Sequence, residues 1–236
     1  MYIPNSDLRF SDLLKRRERI LGFVWLPIHV VVLPLFLGVL AMLILHRTPD
    51  AAALNAFYYL LSFVFVLLAF WSFLRESFHV FVQRMSYCIL IIFAAYLLNS
   101  VLSVVLNLIM NFFGELETPN NDAVAEVANL HYKQVFATAV LMAPIVEECL
   151  FRGVIFGTIA RRSRALGYVV SILLFSLYHV WQFALLDHDW TMLLNAAAYI
   201  PLSAALTFCY DRTESIWTPI FFHMFVNSAA LTLMVQ

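Results

Sequence analysis

Charge is scarce in this 236-residue chain: Asp, Glu, Lys and Arg together make up 12% of it, where a soluble domain carries about a quarter. Hydrophobic residues fill 63%, and the mean hydropathy is +0.86. A water-soluble core cannot absorb that much apolar side chain, so the solvent is lipid. Strand-like alternation is missing too. The apolar runs are continuous and far longer than barrel strands, which leaves an all-α, polytopic transmembrane helix bundle. Cysteine is sparse, and Cys88, Cys149 and Cys209 all sit in apolar segments without the spacing of a disulfide or zinc framework. They read as small buried hydrophobes. The net charge is −1 and no basic tract lies beyond the N-terminus, so nothing points to nucleic acid. No cleavable signal peptide is evident: Lys15, Arg16, Arg17 and Arg19 precede an apolar stretch long enough to span, which is expected to stay in place.

A crossing helix needs about 20 mostly apolar residues. Seven segments qualify, at roughly 20–45, 56–74, 86–113, 135–160, 165–186, 190–210 and 215–235. The longest break holds Pro119, Asn120 and Asn121, a turn-forming cluster. It divides an N-terminal three-helix part, 20–113, from a C-terminal four-helix core, 135–236. Residues 1–19 precede them as a cytoplasmic segment, amphipathic over 7–19 and suited to lie on the inner membrane surface. With the N-terminus inside, 11 basic residues fall on inner segments and only Arg47 and Lys133 on outer ones, as the positive-inside rule expects. Asn99, Asn107 and Asn111 share roughly one face of the third span, as interhelical hydrogen-bonding groups do. Pro27 and Pro34 are expected to kink the first span, and nothing links His29 to the polar residues considered next.

Ionisable residues inside spans mark function by default. Here they are Glu147, Glu148 and Arg152 in span four, His179 in span five, and His223 with Asn227 in span seven. Glu147 lies 15 residues from Arg162, His179 lies 15 from Arg164, and His223 lies 11 from Arg212. At helical rise these are roughly 16–22 Å from the inner charged boundary, near the middle of the hydrocarbon core. One site explains a shared depth. Glu148 and Arg152, four apart, occupy one helix face with the acid first, and neutralise one another. Glu147 is about 100° away around the helix and does not share that arginine. His223 and Asn227 are also four apart. A buried carboxylate hydrogen-bonded to water is a general base, and imidazole and amide groups donate to a developing oxyanion. The set suits attack by water on a carbonyl.

Glu147-Glu148-xxx-Arg152, Phe175-xxx-His179 and His223-xxx-Asn227 resemble, complete and in order, the motifs of the CAAX-protease and bacteriocin-processing (ABI) family of intramembrane peptidases. That family includes the type II prenyl-protein endopeptidases. The resemblance covers about residues 135–236. It implies that Glu147 and His179 activate water, that His223 and Asn227 stabilise the oxyanion, and that Glu148 and Arg152 support catalysis. Phe175 reads as packing that shapes the site. The implied substrates are membrane-anchored proteins or lipidated peptides: a prenylated CAAX tail, a leader peptide or a C-terminal sorting signal.

A metal is the main alternative. Glu147, His179 and His223 form a His/His/carboxylate set of the kind that holds catalytic zinc. However, HExxH is absent and the ligands come from three helices, so a glutamate-activated water without cofactor is favoured. A non-catalytic membrane regulator or scaffold is the rival of another class. A transporter is disfavoured because neither internal repeats nor broken helices are evident. Compact loops and the absence of recognisable organellar targeting lean towards a prokaryotic plasma membrane.

Overall fold

The computed structural model describes residues 13–46, 50–110, 112 and 116–235. Residues 1–12 of the expected inner-surface segment, and with them Arg47 and Asn111, lie outside the described residues. The first helical run comprises α1 (Arg16–Pro27), a π-helical stretch at Ile28–Val32 and α2 (Leu33–Leu45). Next come α3 (Ala51–Ala69), α4 (Trp71–Gln83), α5 (Met85–Met110) and α6 (Pro119–Val135). From Phe136 to Ala160 the helical run contains α7 (Ala143–Glu147) and α8 (Gly157–Ala160), with π stretches at Phe136–Met142 and Glu148–Phe156. The chain continues through α9 (Arg164–Tyr178), α10 (Trp181–Leu186), a 3₁₀ run at Trp190–Tyr199, α11 (Ile200–Thr213) and α12 (Trp217–Met234). No strand occurs among the described residues.

Four helical runs are long and apolar enough to cross a membrane: Arg16–Ile44, Ala51–Ala69, Met85–Met110 and Trp190–Thr213. Their outward faces carry side chains such as Leu68, Leu97 and Leu43 that are more than 60% exposed. Lipid solvates such surfaces without cost, and the chain is an integral membrane protein. The other expected spans are shorter or interrupted. The one at 135–160 contains two π stretches. The one at 165–186 breaks at His179–Val180, where Val180 leaves the helical region at φ −129°. In α12, His223 and Asn227 dilute the apolar character of the last span. The expectation of unbroken helices is therefore corrected, and prolines together with a helix end supply the cause, as the site makes plain.

Two stretches read as connections are helices. Pro119 occupies the first turn of α6, with Asp122 behind it. Proline has no N–H to lose there, and an acid suits the positive helix end, so the same residues that signal a turn also start a helix. α4 buries Phe73, Ser77 and Phe81 at four-residue spacing. It is an amphipathic helix lying against the bundle. Asn107 is exposed, so the shared-face reading for span three does not hold at that residue.

The centre of the bundle is the helix that carries the paired glutamates. Residues 146–157 are all buried, packed among Phe70, Phe73, Phe175, Leu206, Tyr210 and Phe222. A Cβ at Gly22 would stand 2.3 Å from Val154 Cγ2, so glycine is what lets α1 approach this central helix. Glu18 ties α1 to α4: its carboxylate accepts from the Lys15 N–H at 2.9 Å and from the Phe73 N–H at 3.0 Å. The start of α12 is fixed from α4, with the Ile216 N–H donating to Ser77 Oγ at 2.7 Å and Trp217 Nε1 to the Leu74 carbonyl at 2.8 Å. All three cysteines are buried free thiols.

Candidate active site

Prolines decide where backbone carbonyls become available. Pro144 has no N–H, and the Ala143 N–H bonds the Thr138 carbonyl five residues back. The Ala139 carbonyl thereby loses its α-helical donor at residue 143, and its π-type donor would be Pro144. Asn227 takes this orphan, Nδ2 donating to the Ala139 oxygen at 2.8 Å. The same arithmetic holds in the first helical run. The Leu33 N–H bonds the Ile28 carbonyl, Pro34 offers no N–H, and the stranded His29 carbonyl accepts from the Tyr58 hydroxyl at 3.1 Å. At the end of α9 the His179 N–H turns to the Ser176 carbonyl at 3.3 Å. The Phe175 carbonyl so released is bonded by the His179 ring, Nδ1 at 2.8 Å. A carbonyl only accepts, so Nδ1 carries hydrogen and Nε2 of neutral His179 is the acceptor.

Glu148 and Arg152 form the expected pair. Arg152 is fully buried and donates to Glu148 Oε1 at 3.2 Å, to the Ser203 carbonyl at 3.0 Å and to Ser203 Oγ at 2.9 Å. Its guanidinium lies 4.2 Å over the Phe175 ring, a cation–π contact that gives Phe175 a task beyond packing. The same Glu148 oxygen faces His223 Nδ1 at 2.8 Å, while His223 Nε2 stands 4.0 Å from Glu147 Oε2. His223 thus bridges the two adjacent carboxylates. Glu147 points the other way, into a cavity of about 280 Å³ lined also by His179, His223 and Asn227. Glu148 and Arg152 do not line that cavity; they stand behind His223. Of the six expected residues, four meet at the cavity wall and two support them.

Residues that the sequence reading left aside complete the wall. Glu147 Oε1 accepts from the Tyr59 hydroxyl at 3.0 Å. Tyr59 meets Tyr178 at 3.3 Å, and Tyr58 meets Tyr178 at 3.1 Å and His29 Nε2 at 3.0 Å. His29 is wholly buried, with Nδ1 2.9 Å from Ser62 Oγ. The view that nothing links His29 to the polar cluster is therefore corrected. The sequence signals for them are weak: two adjacent tyrosines within an apolar span, and a proline five residues after a histidine.

A zinc on Glu147, His179 and His223 can be weighed against this geometry. Two ligands of one tetrahedral zinc stand roughly 3.4 Å apart, closer than the 4.0 Å between His223 Nε2 and Glu147 Oε2. The Nδ1 contact of His223 with Glu148 is one that a metal-bound imidazole also makes, but among the described residues no group of three or more His, Cys, Asp or Glu could hold a metal ion. The three side chains do not form a metal-holding set in this arrangement.

The family model described as type II CAAX prenyl endopeptidase, Rce1-like, matches residues 130–229. The matched segment is similar to the CAAX protease family. It contains all six expected site residues and none of Tyr58, Tyr59 or His29. A curated relative, "Putative membrane peptidase YdiL" of Bacillus subtilis (strain 168), is 27% identical over 121 residues, 51% of this chain. The chain covers 45% of that relative's length. A bacterial relative is consistent with prokaryotic origin. No solved structure matches the chain. The matched segment thus begins near the end of α6 and runs into α12, leaving the first five helices outside the match.

Proposed function

We propose that the protein is an intramembrane endopeptidase in which Glu147 activates water for attack on a peptide bond of a membrane-associated substrate. The observation that carries this reading is the 4.0 Å separation of Glu147 Oε2 and His223 Nε2 at the wall of the cavity shared by His179 and Asn227. Two hydrogen bonds of about 2.8 Å meeting at nearly a right angle span that distance, so one water suits both atoms. The water oxygen bonds the carbonyl carbon as its proton passes to Glu147. The tetrahedral adduct then collapses, the C–N bond breaks, and Glu147 returns the proton to the leaving amine. His179 Nε2, fixed as an acceptor, is a second group able to hold the water.

Asn227 has two amide hydrogens. One is spent on Ala139, and the other serves a developing oxyanion. His223, its Nδ1 held by Glu148 at 2.8 Å, contacts the water through Nε2 before attack and the developing oxyanion after it.

The substrates this reading allows are a prenylated CAAX tail, a leader peptide and a C-terminal sorting signal. Purified protein in liposomes, offered one peptide of each kind, provides the test by mass spectrometry of the products. Cleavage of at least one peptide, absent in Glu147→Gln, is expected. Cleavage that persists undiminished in Glu147→Gln overturns the assignment.

A further inference from the structure

The helices outside the family match bring four polar side chains against the site, and their bonding has a direction. Tyr59 has a single hydroxyl hydrogen. A carboxylate oxygen accepts, so that hydrogen goes to Glu147 Oε1 at 3.0 Å, and towards Tyr178 the Tyr59 oxygen is left as acceptor. Tyr178 in turn stands 3.1 Å from Tyr58 and 3.3 Å from His29 Nε2. Tyr58 is locked by the His29 carbonyl that Pro34 releases, at 3.1 Å, and by His29 Nε2 at 3.0 Å. Its ring is stacked on His29 with centroids 5.0 Å apart. Ser62, one turn further along α3, holds the other ring nitrogen of His29 at 2.9 Å. Tyr58, Tyr59 and Ser62 come from α3, His29 from the first π stretch, and Tyr178 from the last residue of α9.

Occupying one carboxylate oxygen fixes the other. With Oε1 held by Tyr59, Oε2 is the oxygen that faces His223. A donor on a carboxylate also withdraws charge in proportion to its own polarisation, and a phenol that accepts from a second phenol is a stronger donor. We infer that Tyr59 is a positioning residue for Glu147, held and polarised through Tyr178 by the Tyr58–His29 cluster, so that the N-terminal helices complete the candidate active site. This inference rests on the endopeptidase reading of Glu147. Its geometry does not, and the experiment separates the two.

Tyr59→Phe removes the hydroxyl and keeps the ring. In full-length protein the infrared difference between wild type and Glu147→Gln, with 13C-labelled glutamate, isolates the Glu147 carboxylate band. Tyr59→Phe is expected to shift that band, and Tyr178→Phe to shift it less. With a peptide that wild type cleaves, Tyr59→Phe should lower kcat about ten- to a hundredfold, the effect of one hydrogen bond to a charged group, with KM within about twofold. Tyr59→Phe/Tyr178→Phe should be no slower than Tyr59→Phe alone, since Tyr178 acts through Tyr59. A merely structural tyrosine would lower melting temperature and leave the band in place. An unmoved band overturns the inference, as does wild-type kcat in Tyr59→Phe when Glu147→Gln is inactive. Should Tyr59→Phe not fold, an unmoved band in Tyr178→Phe overturns it as well. Activity surviving in Glu147→Gln sinks the role of Glu147 in activating water instead, while the band still decides whether Tyr59 holds Glu147.

Discussion

Arg152→Leu should cost the protein a large part of its thermal stability. Arg152 and Glu148 are wholly buried, 3.2 Å apart. At an effective dielectric of about 20 their attraction is about 5 kcal/mol, and a single substitution leaves Glu148 charged within the bundle. His223 Nδ1, 2.8 Å from the same oxygen, compensates in part. Leucine also abandons the Ser203 carbonyl and hydroxyl, both acceptors of Arg152. Breaking one side of a buried pair typically costs 3–5 kcal/mol, and for a chain of this size that is a fall of order 10 °C in melting temperature. The protein contains its own reporter. Cys88, Cys149 and Cys209 are buried and free, so a thiol-reactive dye in a detergent thermal scan lights up as the bundle opens. Glu148→Leu/Arg152→Leu should recover more than half of the loss, because no uncompensated charge remains. A melting point within about 1 °C of wild type in Arg152→Leu would refute the reasoning.

Asn227→Ala is expected to lower kcat about a hundredfold or more, as loss of an oxyanion donor does, with substrate binding retained. Equal loss of binding and folding would contradict that role. Pro144→Ala restores an N–H that can pair with the Ala139 carbonyl; melting temperature should hold or rise while kcat falls, because Asn227 loses its anchor. Unchanged kcat would show that the freed carbonyl does not matter. Glu18→Ala removes acceptors from the Lys15 and Phe73 N–H groups, and at about 1–2 kcal/mol for each capping bond should lower melting temperature by several degrees with kcat unchanged, measured by the same thiol scan and peptide assay.

Much of this was legible in the sequence, for a physical reason. A carboxylate in a lipid-facing helix is so costly that Glu147, Glu148 and Arg152 stand out against apolar neighbours, and four-residue spacing fixes that Glu148 and Arg152 meet while Glu147 looks elsewhere. Less legible was anything that depends on the path of the backbone. Pro34 read as a kink and Pro144 drew no reading, but the effect of both was to orphan carbonyls five residues earlier, which only a three-dimensional partner reveals. α4 was hidden because its Arg75 and Glu76, with Arg84 just after its end, resemble an inter-span loop, although Phe73, Ser77 and Phe81 follow a helical period. Tyr58 and Tyr59 were missed because tyrosine is ordinary in a membrane helix; what singles them out is Glu147, 88 residues away from Tyr59 in the chain.

The most direct test of a glutamate-activated water is metal analysis of the purified protein, joined to peptide cleavage before and after chelation and in Glu147→Gln. The account predicts no stoichiometric metal, cleavage that resists the chelator, and an inactive Glu147→Gln. Stoichiometric zinc, with activity lost to the chelator and restored by added zinc, would contradict it.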